Sequence, residues 1–226
     1  ALLEGMLIAA HATGATRAFI YLRYEYPETQ KVLQRAINEA EAKGYTKHCK
    51  LYLRRGAGAY ICGEEGSLLN SLEGKHPFPR NKPPFPVPHG FENLPTVVNN
   101  VETLVSATHI VAKGADWYRG LGMNGHAGTK VISLSGDIQR PGNYEVPMGM
   151  PLQTLLQDWA GGPHPEREIK AVTMAGLSGG FLAGDDLNVT LDDPCIKEKG
   201  SFLGASGIMV FDDSRDLVEI ARQAMA

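Results

Sequence analysis

The 226-residue chain is long enough for one large domain or two modest ones, and its 43 % hydrophobic and 21 % charged residues are ordinary for a globular protein. Its 22 lysines and arginines against 25 acids leave a formal charge of −3, which gives no electrostatic reason to expect nucleic acid or an anionic membrane as partner. No apolar stretch approaches the roughly 18 residues of a spanning helix, and three cysteines, Cys49, Cys62 and Cys195, are too few and too scattered for a disulfide framework or a zinc site.

Residues 1–13 carry a helical pattern stopped by Gly14, with neither an initiator methionine nor the basic flank of a signal peptide before it. Arg17 to Tyr24 is rich in aromatic and β-branched residues and predicts a buried strand. Pro27 opens a helix whose apolar stripe is Val32, Leu33, Ala36, Ile37 and Ala40, closed by Gly44. Lys50 to Arg54 alternates as a second strand. Strand, helix, strand is a βαβ unit, so the first hundred residues predict an α/β layer fold.

The 26 glycines and 14 prolines exceed an ordinary usage of about 7 % and 5 %, and they are concentrated. Arg55-Gly56-Ala57-Gly58-Ala59-Tyr60-Ile61-Cys62-Gly63-Glu64-Glu65 follows a strand and precedes a helical pattern at Ser67 to Leu72, the place where α/β proteins bind ligands. Ile61 stands where a dinucleotide fingerprint needs its third glycine, and no Gly-Lys-Ser/Thr follows as in a phosphate-binding loop. Closely spaced glycines let backbone N–H groups approach a ligand. Glu64 and Glu65 suit the start of a helix, repel phosphate, and accept from donors such as ribose hydroxyls or an amide. An ordinary tight turn with helix-starting acids accounts for the same residues.

Pro77, Pro79, Pro83, Pro84, Pro86, Pro88 and Pro95 make a stiff, extended tract. Prolines on both sides of Phe85 restrict its backbone and could hold its ring as a stacking wall, with Lys82 nearby for a phosphate. A rigid linker, or a P-x-x-P ligand at Pro83 to Pro86, reads the same residues differently. Asn99 and Asn100 precede a helix at Val101 to Lys113, as either capping or ligand binding requires.

Gly114 to Gly128 is expected to be a linker. Thr129 to Ser135, a turn at Pro141-Gly142 and a returning strand at Tyr144 to Val146 predict a hairpin. A short helix at Pro151 to Trp159 and strands at Ile169 to Met174 and Ile208 to Phe211 then suggest a small β-grasp (ubiquitin-like) module over 129–213. Asp185, Asp186, Asp192 and Asp193 predict a solvated face. Leu217, Ile220, Ala221 and Ala224 recur at helical spacing to the last residues, so the chain is expected to be cut from a longer protein at both ends. The seven histidines form no metal-ligand cluster, and no Gly-x-Ser-x-Gly elbow occurs. Cys62, inside the glycine loop, suits either a redox-sensitive thiol or inert packing.

Taken together, GAGAYICGEE, NSLEGK, PR-x-KPPFP and PTVVNNVETL, in that order, resemble the NADH-binding, FMN-carrying subunit of respiratory complex I. The same module is similar in diaphorase subunits of NAD-dependent formate dehydrogenases and NAD-reducing hydrogenases. The likeness continues through GADWYRGLG, SLSGDIQRPGNYEVPMG and KGSFLGASGIMVFDD. It implies the C-terminal part of a Rossmann-like FMN domain over 1–113 followed by a β-grasp domain like the family's soluble-ligand-binding (SLBB) module, with 214–226 starting an iron–sulfur helical domain.

By this resemblance Tyr60, Gly63, Glu64, Val98, Asn99, Asn100 and Thr103 contact FMN, while Glu65, Lys82 and Phe85 lie on the NADH side. It implies hydride transfer from NADH to FMN, with electrons leaving singly through iron–sulfur clusters. It also implies partner subunits, including a thioredoxin-like 2Fe–2S protein, and a cytoplasmic location peripheral to the inner membrane. The family's N-terminal G-R-G-G-A-G-F-P flavin loop and its C-terminal C-x-x-C-x-x-C run for a 4Fe–4S cluster are absent from this sequence, so weak or no flavin binding is expected of these residues alone. A non-catalytic module that docks neighbouring subunits is the competing expectation.

Overall fold

The computed structural model describes residues 1–225. The chain divides into two compact units, Ala1–Ala112 and Lys113–Ala226.

In the first unit, helix α1 (Leu2–Thr13) ends on Gly14, which adopts φ 72° as its left-handed cap. Strand β1 (Arg17–Leu22), helix α2 (Pro27–Ala42) and strand β2 (Lys50–Arg55) follow. The two strands pair in parallel with Ala18 opposite Leu51 and Ile20 opposite Leu53. A parallel pair needs a crossover between its strands, and α2 supplies it, with Pro27 in its first turn. The core is Met6, Ala10, Ile20, Ile37, Cys49 and Leu51. Helix α3 (Glu65–Leu72) follows β2 after a glycine loop, and α4 (Val101–Lys113) follows the proline tract. Helix α1 packs so closely on α4 that a Cβ on Gly5 would lie 2.0 Å from the Leu104 carbonyl oxygen. The Thr108 hydroxyl adds a 3.1 Å hydrogen bond to the Ala1 carbonyl.

The second unit opens with helix α5 (Ala115–Arg119). Strands β3 (Thr129–Gly136), β4 (Gly142–Pro147), β5 (Ile169–Thr173) and β6 (Phe181–Ala183) follow, then helix α6 (Asp193–Glu198), strand β7 (Gly207–Asp212) and helix α7 (Leu217–Met225). The sheet order is β4-β3-β7-β5-β6, with β3 and β7 parallel at its centre and the remaining pairs antiparallel. Leu152, Leu155, Leu156 and Ala160 are fully buried and join Ile132, Leu134, Val172 and Val210 in one core. Thr154–Trp159, which carries Leu155 and Leu156, is wound as a π-helix.

Several local expectations are corrected here. Residues 114–128 carry α5, and their backbone is bonded into the second unit: the Met123 N–H donates to the Met148 carbonyl at 2.8 Å and the Met148 N–H to Gly128 at 3.0 Å. Strand β6 and helix α6 have no counterpart in the sequence pattern. Asp192 is buried: its carboxylate accepts the Cys195 N–H at 2.9 Å, caps α6, and lies 3.5 Å from His126. It is therefore no part of a solvated face. No helix among the described residues is long and apolar enough to cross a membrane.

Candidate functional site

The loop after β2 leaves beside the end of β1, where the Gly56 N–H donates to the Leu22 carbonyl at 2.8 Å. Its glycines are not equivalent. A Cβ on Gly56 would lie 2.6 Å from the Tyr21 hydroxyl, and one on Gly58, at φ +92°, 2.7 Å from the Tyr24 ring. These two glycines serve internal packing. A Cβ on Gly63 would meet nothing within 4 Å, so it is at Gly63 that the backbone stands open to an approaching ligand. Tyr60 begins the 3₁₀ turn that ends at Gly63, and the residue is 84 % exposed. Cys62 in the same turn is buried, which favours packing over a redox role.

Glu64 is the N-cap of α3, its carboxylate accepting the Ser67 N–H at 2.8 Å. Lys82 reaches back from the proline tract to hydrogen-bond Glu65 and to stand 3.6 Å from the other Glu64 oxygen. Burial pushes the Glu64 carboxyl up, but the Gly66 and Ser67 N–H groups and the Lys82 charge outweigh it and hold the group below the usual carboxylate range. The hydrogen bond to Glu65 raises the Lys82 ammonium in turn. Two carboxylates and one ammonium thus meet at the start of α3. The site offers acceptors to hydroxyl or amide donors and one cation to a phosphate.

The proline tract is no linker, because it folds back on α3 within its own unit. The Asn70 amide donates to the Phe78 carbonyl at 2.8 Å and accepts from Arg80 Nε at 2.8 Å. Arg80 also donates to the Gly90 carbonyl at 3.0 Å and pairs with Glu73 at 2.8 Å. Gly66 in α3 admits this contact, since a Cβ there would lie 2.6 Å from the Arg80 backbone nitrogen. Phe85, midway along the held loop, leaves 56 % of its surface exposed. Burial of Glu73 pushes its carboxyl up, yet hydrogen bonds from Lys75, Arg80 and the Glu92 N–H together bring it down to about 2.

The second predicted group sits at the start of α4. The Asn100 side chain accepts the Thr103 N–H at 2.8 Å, so Asn100 caps the helix. Val98 is half-buried, whereas Asn99, Asn100 and Thr103 are exposed. The structure therefore joins Glu64, Glu65 and Lys82 in one cluster and Asn100 with Thr103 in another. Asn70, Glu73 and Arg80 are residues that sequence reasoning missed. Their only signal was membership of the NSLEGK and PR-x-KPPFP motifs. Among the described residues, no group of three or more histidine, cysteine, aspartate or glutamate side chains is placed to hold a metal ion.

Residues 1–109 match the family model described as the Nuo51 FMN-binding domain, and residues 131–184 match the SLBB domain. The chain is 43 % identical over 228 residues to an NADH-quinone oxidoreductase subunit of Rhizobium meliloti (strain 1021), across 97 % of this chain and 54 % of that protein. Residues 1–109 belong to the first of these domain families and residues 131–184 to the second. A further relative is the NADP-reducing hydrogenase subunit HndC of Solidesulfovibrio fructosivorans, 41 % identical across 97 % of this chain and 46 % of that protein. The crystal structure of an NAD+-reducing NiFe-hydrogenase in the H2-reduced state superposes with a TM-score of 0.83 at 41 % identity, covering 96 % of this chain and 36 % of that one. The chain spans about half the length of the curated relatives it matches.

Proposed function

We propose that the chain is part of the electron-input subunit of an NADH-oxidising enzyme, holding FMN in its first unit and receiving NADH beside it. The observation that carries this reading is the convergence of Lys82 with Glu64 and Glu65 at the start of α3, directly after the open backbone of Gly63. FMN fits these residues: a flavin needs a place where backbone can approach, and Gly63 is such a place. Tyr60, Gly63, Glu64, Val98, Asn99, Asn100 and Thr103 would hold it. Glu65, Lys82 and Phe85 would hold NADH, with Glu65 accepting from a hydroxyl or amide, Lys82 facing a phosphate and the Phe85 ring stacking.

When bound, FMN supplies hydride acceptance and the change from two-electron to one-electron transfer. The chain's own part is binding and orientation. The N–H groups of α3 keep Glu64 ionised, and Lys82 balances the charge of the paired acids. The proline-flanked Phe85 offers an aromatic face that loses little freedom on binding.

The folds accord with the same reading. We read β1-α2-β2 as the βαβ unit of a Rossmann-like domain, and the order β4-β3-β7-β5-β6 about a central parallel pair supports reading the second unit as a β-grasp fold. We take 1–113 as the FMN domain, 129–213 as the β-grasp domain and 214–226 as the start of a helical iron–sulfur domain. Electrons would leave to a 4Fe–4S cluster elsewhere in the subunit and to a thioredoxin-like 2Fe–2S partner. They would then reach quinone in a cytoplasmic arm peripheral to the inner membrane. The likeness to HndC and to the hydrogenase structure supports a second reading, a diaphorase subunit of a hydrogenase or formate dehydrogenase.

NADH-dependent ferricyanide reduction by the full-length protein tests the site under either reading. Replacing Glu65 and Phe85 together by alanine is expected to lower kcat/KM for NADH by about tenfold or more, the scale of one charge-assisted contact plus one stacking contact. Unchanged activity in that double variant would remove the assignment and favour a docking module without catalysis.

A further inference from the structure

The loop that carries Lys82 and Phe85 is closed into a ring by one carboxylate. Glu73, in the cap position that ends α3, uses its Oε1 atom twice: it accepts from Arg80 at 2.8 Å, where the loop begins, and from the Glu92 N–H at 2.8 Å, where the loop ends. Arg80 then spans the ring directly, its Nη1 donating to the Gly90 carbonyl at 3.0 Å. Asn70, one helical turn earlier on α3, holds Arg80 Nε at 2.8 Å and the Phe78 carbonyl at 2.8 Å. Glu73 is only 8 % and Arg80 only 23 % exposed at the side chain, so water competes weakly for these bonds. Lys82 stands two residues beyond Arg80, and its ammonium is returned to the opposite, N-terminal end of the same helix. Both ends of α3 therefore grip one loop.

We infer that the Glu73–Arg80 pair, with Asn70, is a positioning device for nicotinamide-nucleotide binding: it sets where Lys82 and Phe85 stand without touching the nucleotide itself. This rests on the NADH-side roles of Lys82 and Phe85 proposed above. Its physical basis is preorganisation. A loop free at either end would have to be ordered when the nucleotide binds, and that entropy would be subtracted from affinity. The planar guanidinium meets three acceptors at once, two on α3 and its cap and one at Gly90, which a lysine ammonium on a flexible stem does not reproduce. The prolines stiffen the loop between its ends, and the ring of hydrogen bonds, together with the Lys82 pairs, relates it to α3.

The test is steady-state NADH:ferricyanide kinetics on the full-length protein in its native complex, with flavin content measured beside it. Arg80→Lys keeps the charge opposite Glu73 and gives up the fork. It is expected to raise KM for NADH about tenfold while kcat stays within about twofold and flavin content is unchanged. Amide hydrogen exchange at Asn81, Lys82, Phe85 and Val87 is expected to quicken in the same variant. Lys82→Ala is the companion, expected to raise KM through loss of the contact itself.

If Lys82→Ala raises KM and Arg80→Lys does not, the positioning role is overturned and the site reading stands. If neither raises KM, the site reading has failed and the positioning role falls with it. A fall in kcat and flavin content alongside KM in Arg80→Lys marks a purely structural role and also overturns the proposal. Should Arg80→Lys not assemble, Asn70→Ala is judged by the same readouts, and failure of both to assemble counts against positioning.

Discussion

Glu64 and Ser67 are joined by a 2.8 Å hydrogen bond from the Ser67 backbone N–H to the Glu64 carboxylate, which closes the first turn of α3. The residue that caps the helix is thus one of those proposed to face the flavin. One carboxylate oxygen is committed to the helix, and the other is 3.6 Å from Lys82. Structural and binding roles are superimposed on this side chain, and substitutions can separate them.

Glu64→Ala removes both, and loss of the cap alone is expected to cost about 1 kcal/mol. Glu64→Ser restores a good N-cap without the charge. Thermal unfolding is expected to place the serine variant near the parent and the alanine variant below it. The flavin-to-protein ratio of the full-length protein after gel filtration is expected to fall in both. Full flavin retention in Glu64→Ser would show that the carboxylate acts on α3 only.

Gly63 and Gly66 lie three residues apart and predict opposite outcomes for the same change. A Cβ on Gly66 would press on the Arg80 backbone nitrogen at 2.6 Å, which cannot swing aside as a side chain would. Gly66→Ala is expected to destabilise by about 1–3 kcal/mol in chemical denaturation. Gly63→Ala meets no protein atom within 4 Å and is expected to change stability by no more than about 0.5 kcal/mol. If Gly63 is the point of flavin approach, its alanine variant in the full-length protein will nevertheless lose flavin. Equal flavin content in parent and Gly63→Ala argues against that placement.

Glu73 predicts a specific acid dependence. Its folded carboxyl sits at about 2 against an ordinary 4.5, so its contribution to stability is complete above 4.5 and is lost as pH falls toward 2. The stability gap between the parent and Glu73→Gln is therefore expected to narrow across that window, by at most about 3 kcal/mol. Denaturant midpoints of both proteins at several pH values measure it. A gap that stays constant down to the acid limit would mean the ion pairs around Glu73 contribute little.

In the second unit the buried Asp192 carboxylate caps α6, accepts from the Thr190 hydroxyl and lies 3.5 Å from His126 Nε2. Asp192→Ala is expected to cost about 2 kcal/mol, combining a lost cap with buried donors left unpaired. Asp192→Asn keeps an acceptor for the cap and is expected to cost less. Denaturant unfolding of the two variants checks the order.

Much of this architecture is legible in the amino-acid sequence. The βαβ order, the capping glycine at Gly14, the helices at Pro27 and Val101 and the hairpin at β3 and β4 all follow from local causes. Hydrophobic period, a proline-set φ and a glycine-permitted φ act over a few residues and need no partner. The motifs were equally local, and their order along the chain was enough to indicate the family.

What lay beyond such reading depends on which distant segments meet. Among three glycines of similar setting, Gly56 and Gly58 serve tyrosine rings from β1 and its following turn, and Gly63 alone opens outward. Strand β6 is only three residues long and exists because β5 offers it a pairing edge. Asp192 looks like its acidic neighbours until the fold buries it over α6. Glu73 and Arg80 are a helix-ending acid and one cation among several until the proline tract turns back and closes on itself. Burial, pairing and close approach are properties of two segments together, and so only the tertiary structure could decide them.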